Sequence, residues 1–166
     1  MNNIIFIGMP ASGKSTIGVV VAKRLGYEFL DTDLVIQKRE GRLLKDIIEE
    51  KGTEGFLKIE DEVNAGVEAE RTVISPGGSV VYCENAMKHF KEIGTVVYLQ
   101  TSYQTIRRRI GDPEKRGVVL REGQSLRDLY EERKVLFEKY ADIIICEDGL
   151  TLDETIDKVV RSVSEK

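Results

Sequence analysis

Residues Ile4-Ile5-Phe6-Ile7-Gly8-Met9-Pro10-Ala11-Ser12-Gly13-Lys14-Ser15 decide the fold. An apolar run leads into Gly8–Ser15, which fits the pattern G-x-x-x-x-G-K-[ST] at every fixed position, and an apolar-periodic stretch follows through Leu25. Strand, glycine loop and helix in that order are the setting in which this pattern cradles phosphate. Gly8 and Gly13 let the backbone curl, so that successive N–H groups over Ala11, Ser12, Gly13, Lys14, Ser15 and Thr16 face inward at a helix N-terminus. Lys14 then reaches the terminal phosphates of a nucleotide, and the Ser15 hydroxyl is placed for Mg²⁺. The competing reading is a glycine turn that happens to precede a lysine.

The chain has 166 residues, which suits one domain over 1–166 with a proper core. A hydrophobic content of 41% and a charged content of 33% are ordinary for a globular protein in water. The net charge of −4 argues against a dedicated nucleic-acid binder, which carries a basic excess. Cys83 and Cys146 form no metal-type cluster and no disulfide framework. Cys146 closes the apolar run Ile143-Ile144-Ile145 and is expected to be buried; Cys83 is expected in a loop or at a helix start. The N-terminus has no basic region followed by a long apolar stretch, and no apolar run approaches bilayer length. A cytoplasmic monomer is expected, with neither nucleic acid nor membrane as partner.

Apolar runs alternate with helical patterns along the chain, the pattern of a mostly parallel sheet covered by helices. Strands are expected at about 3–7, 28–31, 72–75, 95–99 and 142–146. Helices are expected at about 14–25, 34–40, 43–51, 54–69, 84–91, 102–110, 124–139 and 151–164. The fold class is therefore α/β, a three-layer α/β/α arrangement on a five-stranded parallel sheet. Two segments leave the core. Residues 34–70 form a helical excursion, with Leu44, Ile47 and Ile48 on one apolar face and Phe56, Ile59 and Val63 on another. Residues 111–122 carry Gly111, Pro113 and Gly117 as breakers and Lys115, Arg116 and Arg121 as charges. That composition suits a lid closing over phosphates, and equally a solvated loop.

Asp31-Thr32-Asp33 ends the second strand, where an open parallel sheet borders its ligand crevice. One acid there can hold the hydration shell of Mg²⁺ while the other accepts a hydroxyl proton; alternatively Asp33 merely caps the next helix. Ser75-Pro76-Gly77-Gly78 ends the third strand with glycines that admit a close ligand, or that serve only a tight turn. Arg107, Arg108 and Arg109 fall near a helix C-terminus, where cations are favourable for their own sake. Arg133 lies in Glu131-Glu132-Arg133-Lys134, by default a solvated face. His89 is the one histidine, which excludes a histidine-based metal site, and it belongs on a surface helix.

Taken together, GMPASGKST, LDTD, GFLKIEDEV, ISPGGSV, TVVYL, an arginine-bearing lid and LYEERKVLFEKYAD occur in one order over nearly the whole chain. In that order the chain resembles the shikimate kinase family. The resemblance implies phosphoryl transfer from ATP, with Mg²⁺, to a hydroxyl of a small cyclic acid, giving 3-phosphoshikimate. It implies that Lys14 meets the terminal phosphates, that Ser15 and Asp31 serve Mg²⁺, and that Asp33 binds the acceptor hydroxyls and positions or deprotonates the nucleophile. It also implies Gly77 and Gly78 on the acceptor side, Arg116 as the lid arginine, Arg109 beside the adenine and Arg133 on the acceptor carboxylate.

Three positions depart from the family pattern. Phe56-Leu57-Lys58 stands where the family has Phe-Arg, an arginine that helps to clamp the carboxylate. Pro76 replaces the first of three glycines, and Arg116-Gly117 replaces Arg-Pro in the lid. Adjacent helical positions point about 100° apart, so Lys58 does not take over from position 57 without a shift. Losing one charge-assisted contact costs on the order of 1.5–3 kcal/mol. These departures gather at the acceptor. Two alternatives follow: a kinase of this family with another small hydroxylated substrate, and a nucleotide-binding module that transfers nothing.

Overall fold

The computed structural model describes residues 2–166; Met1 lies outside. Five strands form one all-parallel sheet in the order β2-β3-β1-β4-β5. They are β1 (Asn3–Ile7), β2 (Glu28–Asp31), β3 (Thr72–Ser75), β4 (Gly94–Gln100) and β5 (Ile143–Cys146). Every residue of β1 and β3 is buried, as expected of central strands covered on both faces. Side chains alternate between the faces. Ile5, Ile7, Ile74, Val96 and Tyr98 enter one core, while Ile4, Phe6, Val73, Val97, Leu99 and Ile145 enter the other.

Helix α1 (Lys14–Leu25) begins directly after Gly13 and ends at Gly26, whose positive φ of 68° turns the chain back toward β2. Its Ile17, Val21 and Ala22 pack with Ile156 and Val159 of α7 (Leu152–Ser164) on the second core. Helices α4 (Glu84–Ile93), α5 (Tyr103–Ile110) and α6 (Leu126–Tyr140) cover the other face through Met87, Phe90, Ile106, Leu129 and Phe137. Capping boxes at Ser125–Asp128 and Thr151–Glu154 start α6 and α7 by satisfying helix N–H groups that have no partner within the helix.

The excursion consists of α2 (Thr32–Glu40) and α3 (Leu44–Ala65). The two helices expected at 43–51 and 54–69 are one element broken at Gly52, whose φ of 72° and ψ of 175° no helix contains. The second half stops at Ala65 rather than 69, because the Gly66 N–H turns back onto the Glu62 and Val63 carbonyls. The two apolar faces read from the sequence join in one cluster, in which Ile36, Ile47, Phe56, Ile59 and Val63 are buried and Leu44 and Ile48 partly so. That cluster is separate from both sheet cores. A 3₁₀ turn over Val80–Tyr82, not expected from the sequence, follows the β3 glycines.

Cys146 is exposed, against expectation. It lies on the edge strand β5, where Ile145 points into the core and its neighbours Ile144 and Cys146 point to the less covered side. Cys83 is buried at the start of α4, and both thiols are free. His89 sits on α4, half-buried, with Nε2 at 2.6 Å from the Val67 carbonyl. No described helix is long and apolar enough to cross a membrane.

The end of the sheet away from the glycine loop is tied by one buried side chain. Asn3 donates through Nδ2 to the Ala69 and Ile93 carbonyls at 2.8 and 3.0 Å, and its Oδ1 accepts from the Thr72 N–H at 3.0 Å. Beside it, Gly94 faces Asn3 in the β1–β4 register, and a Cβ there would stand 2.4 Å from the Asn3 carbonyl oxygen. Backbone on backbone cannot yield as a side-chain tip can. Gly94→Ala is therefore expected to destabilise the fold by about 3 kcal/mol, the upper end of ordinary overpacking, read as a lower urea midpoint.

Candidate active site

The carboxyl ends of β1, β2, β3 and β5 all open onto one side of the sheet, and the glycine loop lies at its centre. Gly8 has a φ of 157°, and a Cβ on it would come within 2.9 Å of the Leu99 carbonyl oxygen and 3.0 Å of Ser12 Oγ. Only glycine lets the loop leave β1 this close to β4. Ala11 (φ 64°) and Gly13 (φ 91°) continue the curl into α1. Lys14 Nζ donates to the Gly8 and Met9 carbonyls at 2.9 and 2.8 Å, folding its stem over the loop. Burial lowers its pKa to about 8, against the opposing pull of Asp33, Glu147 and Asp31. Ser15 and Thr16 stand exposed on the first turn, with Ser15 Oγ at 3.4 Å from Ser75 Oγ.

On one flank of the loop lies a cavity of about 420 Å³, lined by Ala11, Gly13, Thr16, Arg109, Arg116 and Glu147 among others. That volume falls within the range of small-molecule sites. Arg109 reaches the loop through Nη1, which donates to the Ala11 carbonyl at 3.1 Å. Arg116 donates to the Arg109 carbonyl at 3.1 Å, so the segment 111–122 brings its cation to this cavity. The segment runs as a series of turns and is pinned by Val118, which is buried in the core. Arg107 and Arg108 are exposed on α5.

On the other flank the chemistry is acidic and drier. Asp31, not Asp33, caps α2: Asp31 Oδ1 accepts the Asp33 N–H at 2.9 Å. Asp33 is thereby released from capping, and its Oδ1 is buried with no hydrogen-bond partner. Burial, with the like charge of Asp31, raises its pKa to about 6. Gly77 and Gly78 bring the chain close beside it. A Cβ on Gly77 would stand 3.0 Å from Asp33 Oδ1 and 3.1 Å from Glu60 Oε2, and one on Gly78 would stand 3.1 Å from Arg133 Nη1. Arg133 is buried against the Tyr82 ring, 5.4 Å from its centroid, with Nε unpartnered. The solvated face expected for Arg133 is thus corrected: α6 turns this one arginine inward while Glu131 stays exposed.

Glu60 was not singled out by the sequence. It is fully buried on α3, accepts from Ser79 Oγ at 2.6 Å through Oε1, and leaves Oε2 without a partner. Burial raises its pKa to about 7. A buried glutamate at the end of an apolar face, among Phe56, Ile59 and Val63, was the available signal. Glu147 was also missed; it accepts from Thr101 Oγ1 and borders the cavity beside the glycine loop. Leu57 lies one turn before Glu60 on the same face of α3, partly buried against the sheet core, while Lys58 is exposed.

A family model described as shikimate kinase matches residues 10–164. A shikimate kinase of Persephonella marina is 32% identical over 161 residues, covering 96% of this chain and 98% of the relative. One from Aquifex aeolicus is 37% identical over 141 residues, covering 84% and 83%. Among solved structures, the Acinetobacter baumannii shikimate kinase in complex with shikimate superposes with a TM-score of 0.88 at 28% identity, covering 99% of this chain and 94% of that one. The Aquifex aeolicus enzyme gives 0.85 at 33%, covering 98% and 96%.

The buried Glu60 sets a pH dependence of stability. Its carboxyl is raised in the folded chain from 4.5 to about 7, so the fold binds more protons than the unfolded chain across that window. Stability from this group is complete below pH 4.5 and is lost as pH rises through 7. Glu60→Gln does not titrate, so its stability relative to the wild type should grow across the window, by on the order of 1–3 kcal/mol. Urea unfolding at pH 5 and pH 8 checks this; a difference independent of pH contradicts it.

Proposed function

The chain belongs to the shikimate kinase family of ATP-dependent phosphotransferases, and from that membership we propose that it transfers the γ-phosphoryl group of ATP to a ring hydroxyl of shikimate, giving 3-phosphoshikimate. The observation that carries the proposal is the division of the crevice. A cationic cavity and a cradle of unpartnered polar atoms meet at one glycine loop.

On the donor side, the amides from Ala11 through Thr16 hold the phosphates at the α1 N-terminus. Lys14 swings from its carbonyl partners to the β- and γ-phosphates, Arg109 lies against the adenine, and Arg116 comes down from 111–122 as a lid onto the transferring group. Ser15 and Asp31 fit Mg²⁺, because they offer hard oxygen donors beside the loop. No described cluster of three metal-binding side chains exists, which suits an ion held by one or two protein oxygens, phosphates and water. When bound, the ion neutralises charge on the phosphate oxygens.

On the acceptor side, Arg133 grips the carboxylate and Asp33 the hydroxyls. The Gly77 and Gly78 backbone admits the ring closely, and Leu57 offers an apolar wall. The acceptor oxygen bonds to the γ-phosphorus as the bond to the β-bridging oxygen breaks. ADP leaves, and the hydroxyl proton passes to Asp33 and then to water. Positioning and charge stabilisation carry the rate. A monomer acting in the cytoplasm completes the reading.

Shikimate-stimulated ADP release is the decisive assay; none above the acceptor-free rate removes shikimate as substrate. Lys14→Ala should lower kcat about 10²–10³-fold, the usual effect of losing one charge-stabilising donor, with an unchanged circular-dichroism spectrum. Arg116→Ala should lower kcat more than it raises the acceptor KM; an effect confined to that KM contradicts the lid role. The rate should also follow two titrations. Asp33 must be ionised to accept a proton, so kcat/KM rises through about pH 6, and Lys14 loses its charge above about pH 8. A bell between those limits is expected for the free enzyme.

A further inference from the structure

The acceptor cradle carries more acid than an anionic acceptor calls for. Three polar atoms are buried there without partners: Asp33 Oδ1, Glu60 Oε2 and Arg133 Nε. Both carboxylate oxygens face Gly77, at 3.0 and 3.1 Å from where a Cβ on it would lie, and the guanidinium lies beside the next residue, Gly78. Glu60 has no ion-pair partner among the described residues. Leu57, one turn away on its face of α3, contributes no charge, and Lys58 is turned to solvent.

With the acids ionised, Asp31, Asp33 and Glu60 stand against Lys14 and Arg133, so the cradle holds three negative charges against two positive. A buried carboxylate without a partner is costly, and a ligand that supplies the missing cation removes that cost. A hydroxyl satisfies one oxygen and leaves the charge; a second carboxylate adds repulsion. The complement of the whole set is a molecule with a hydroxyl, an ammonium and a carboxylate close together.

We propose that the same site phosphorylates short hydroxy-amino acids, with the hydroxyl on Asp33, the ammonium on Glu60 Oε2 and the carboxylate on Arg133. This rests on the kinase reading above and extends its acceptor. The hydroxyl oxygen bonds to the γ-phosphorus, the bond to the β-bridging oxygen breaks, ADP leaves and the proton passes to Asp33 and on to water. The groups facing Glu60 are Asp33 from α2, Ser79 and Cys83 from the segment after β3, and Arg133 from α6.

The test measures ADP release with L-serine, L-threonine, L-homoserine and shikimate, in the wild type, Glu60→Gln and Leu57→Arg. Both variants are first checked for folding and for ATP binding by calorimetry. Acceptor-stimulated release with a hydroxy-amino acid is expected. Its kcat/KM relative to that for shikimate should fall about 30-fold or more in Glu60→Gln, the usual effect of removing one partner of a buried charge pair. Leu57→Arg should shift the ratio the same way, by placing a built-in cation on the carboxylates. Turnover of shikimate with no hydroxy-amino acid accepted overturns the inference and leaves the kinase reading intact. Turnover of a hydroxy-amino acid but not of shikimate supports it and removes shikimate as acceptor. No turnover of either overturns both, and an unchanged ratio in Glu60→Gln overturns the role of Glu60.

Discussion

The buried ammonium of Lys14, held by the Gly8 and Met9 carbonyls at 2.9 and 2.8 Å, is the constraint around which the crevice is organised. A cation taken out of water needs both carbonyls, along with the fields of Asp33 and Glu147, to remain charged. In satisfying it, the loop is held in one curl. The loop is in turn fixed by β1, which lies between β3 and β4 and is buried over its whole length. Donor and acceptor flanks are both positioned relative to this one charge.

The two flanks solve opposite electrostatic problems. The cavity beside the glycine loop is open, and its Arg109 and Arg116 are exposed, so their charges stay hydrated. The acceptor cradle is drier, and its polar atoms are held in place without partners. In such a medium each charge counts for more than in water, so small differences in acceptor chemistry become large differences in binding. Burial also moves Asp33 toward neutrality, with its pKa raised to about 6.

Much of this was legible in the residues. The glycine loop, the five strands and the alternation of helices follow from local signals: a fixed spacing, apolar runs and glycine stops. Lys14, Asp33 and the paired glycines could be placed because strand ends border the crevice of a parallel sheet. What escaped depends on distant packing. Whether Asp31 or Asp33 caps α2 is settled by backbone direction at one residue. Arg133 sits in a run of charges, and only the docking of α6 shows which of them is turned inward. Glu60 reads as one more acid in Glu60-Asp61-Glu62 until α3 buries it beside Ser79. Cys146 misled because an apolar run does not reveal that its strand lies at an edge.

The helix pair α2–α3 packs around an apolar cluster of its own, separate from the two that flank the sheet. It supplies Asp33, Leu57 and Glu60 to the cradle, while the glycine-loop end is built from β1, α1 and the chain around α5. Substitutions on the cradle side of that pair can therefore alter what the protein recognises while touching the sheet core mainly through Leu57. A lineage built on this architecture can diversify gradually, through substitutions in one region, while the glycine loop and the helix it opens stay in place.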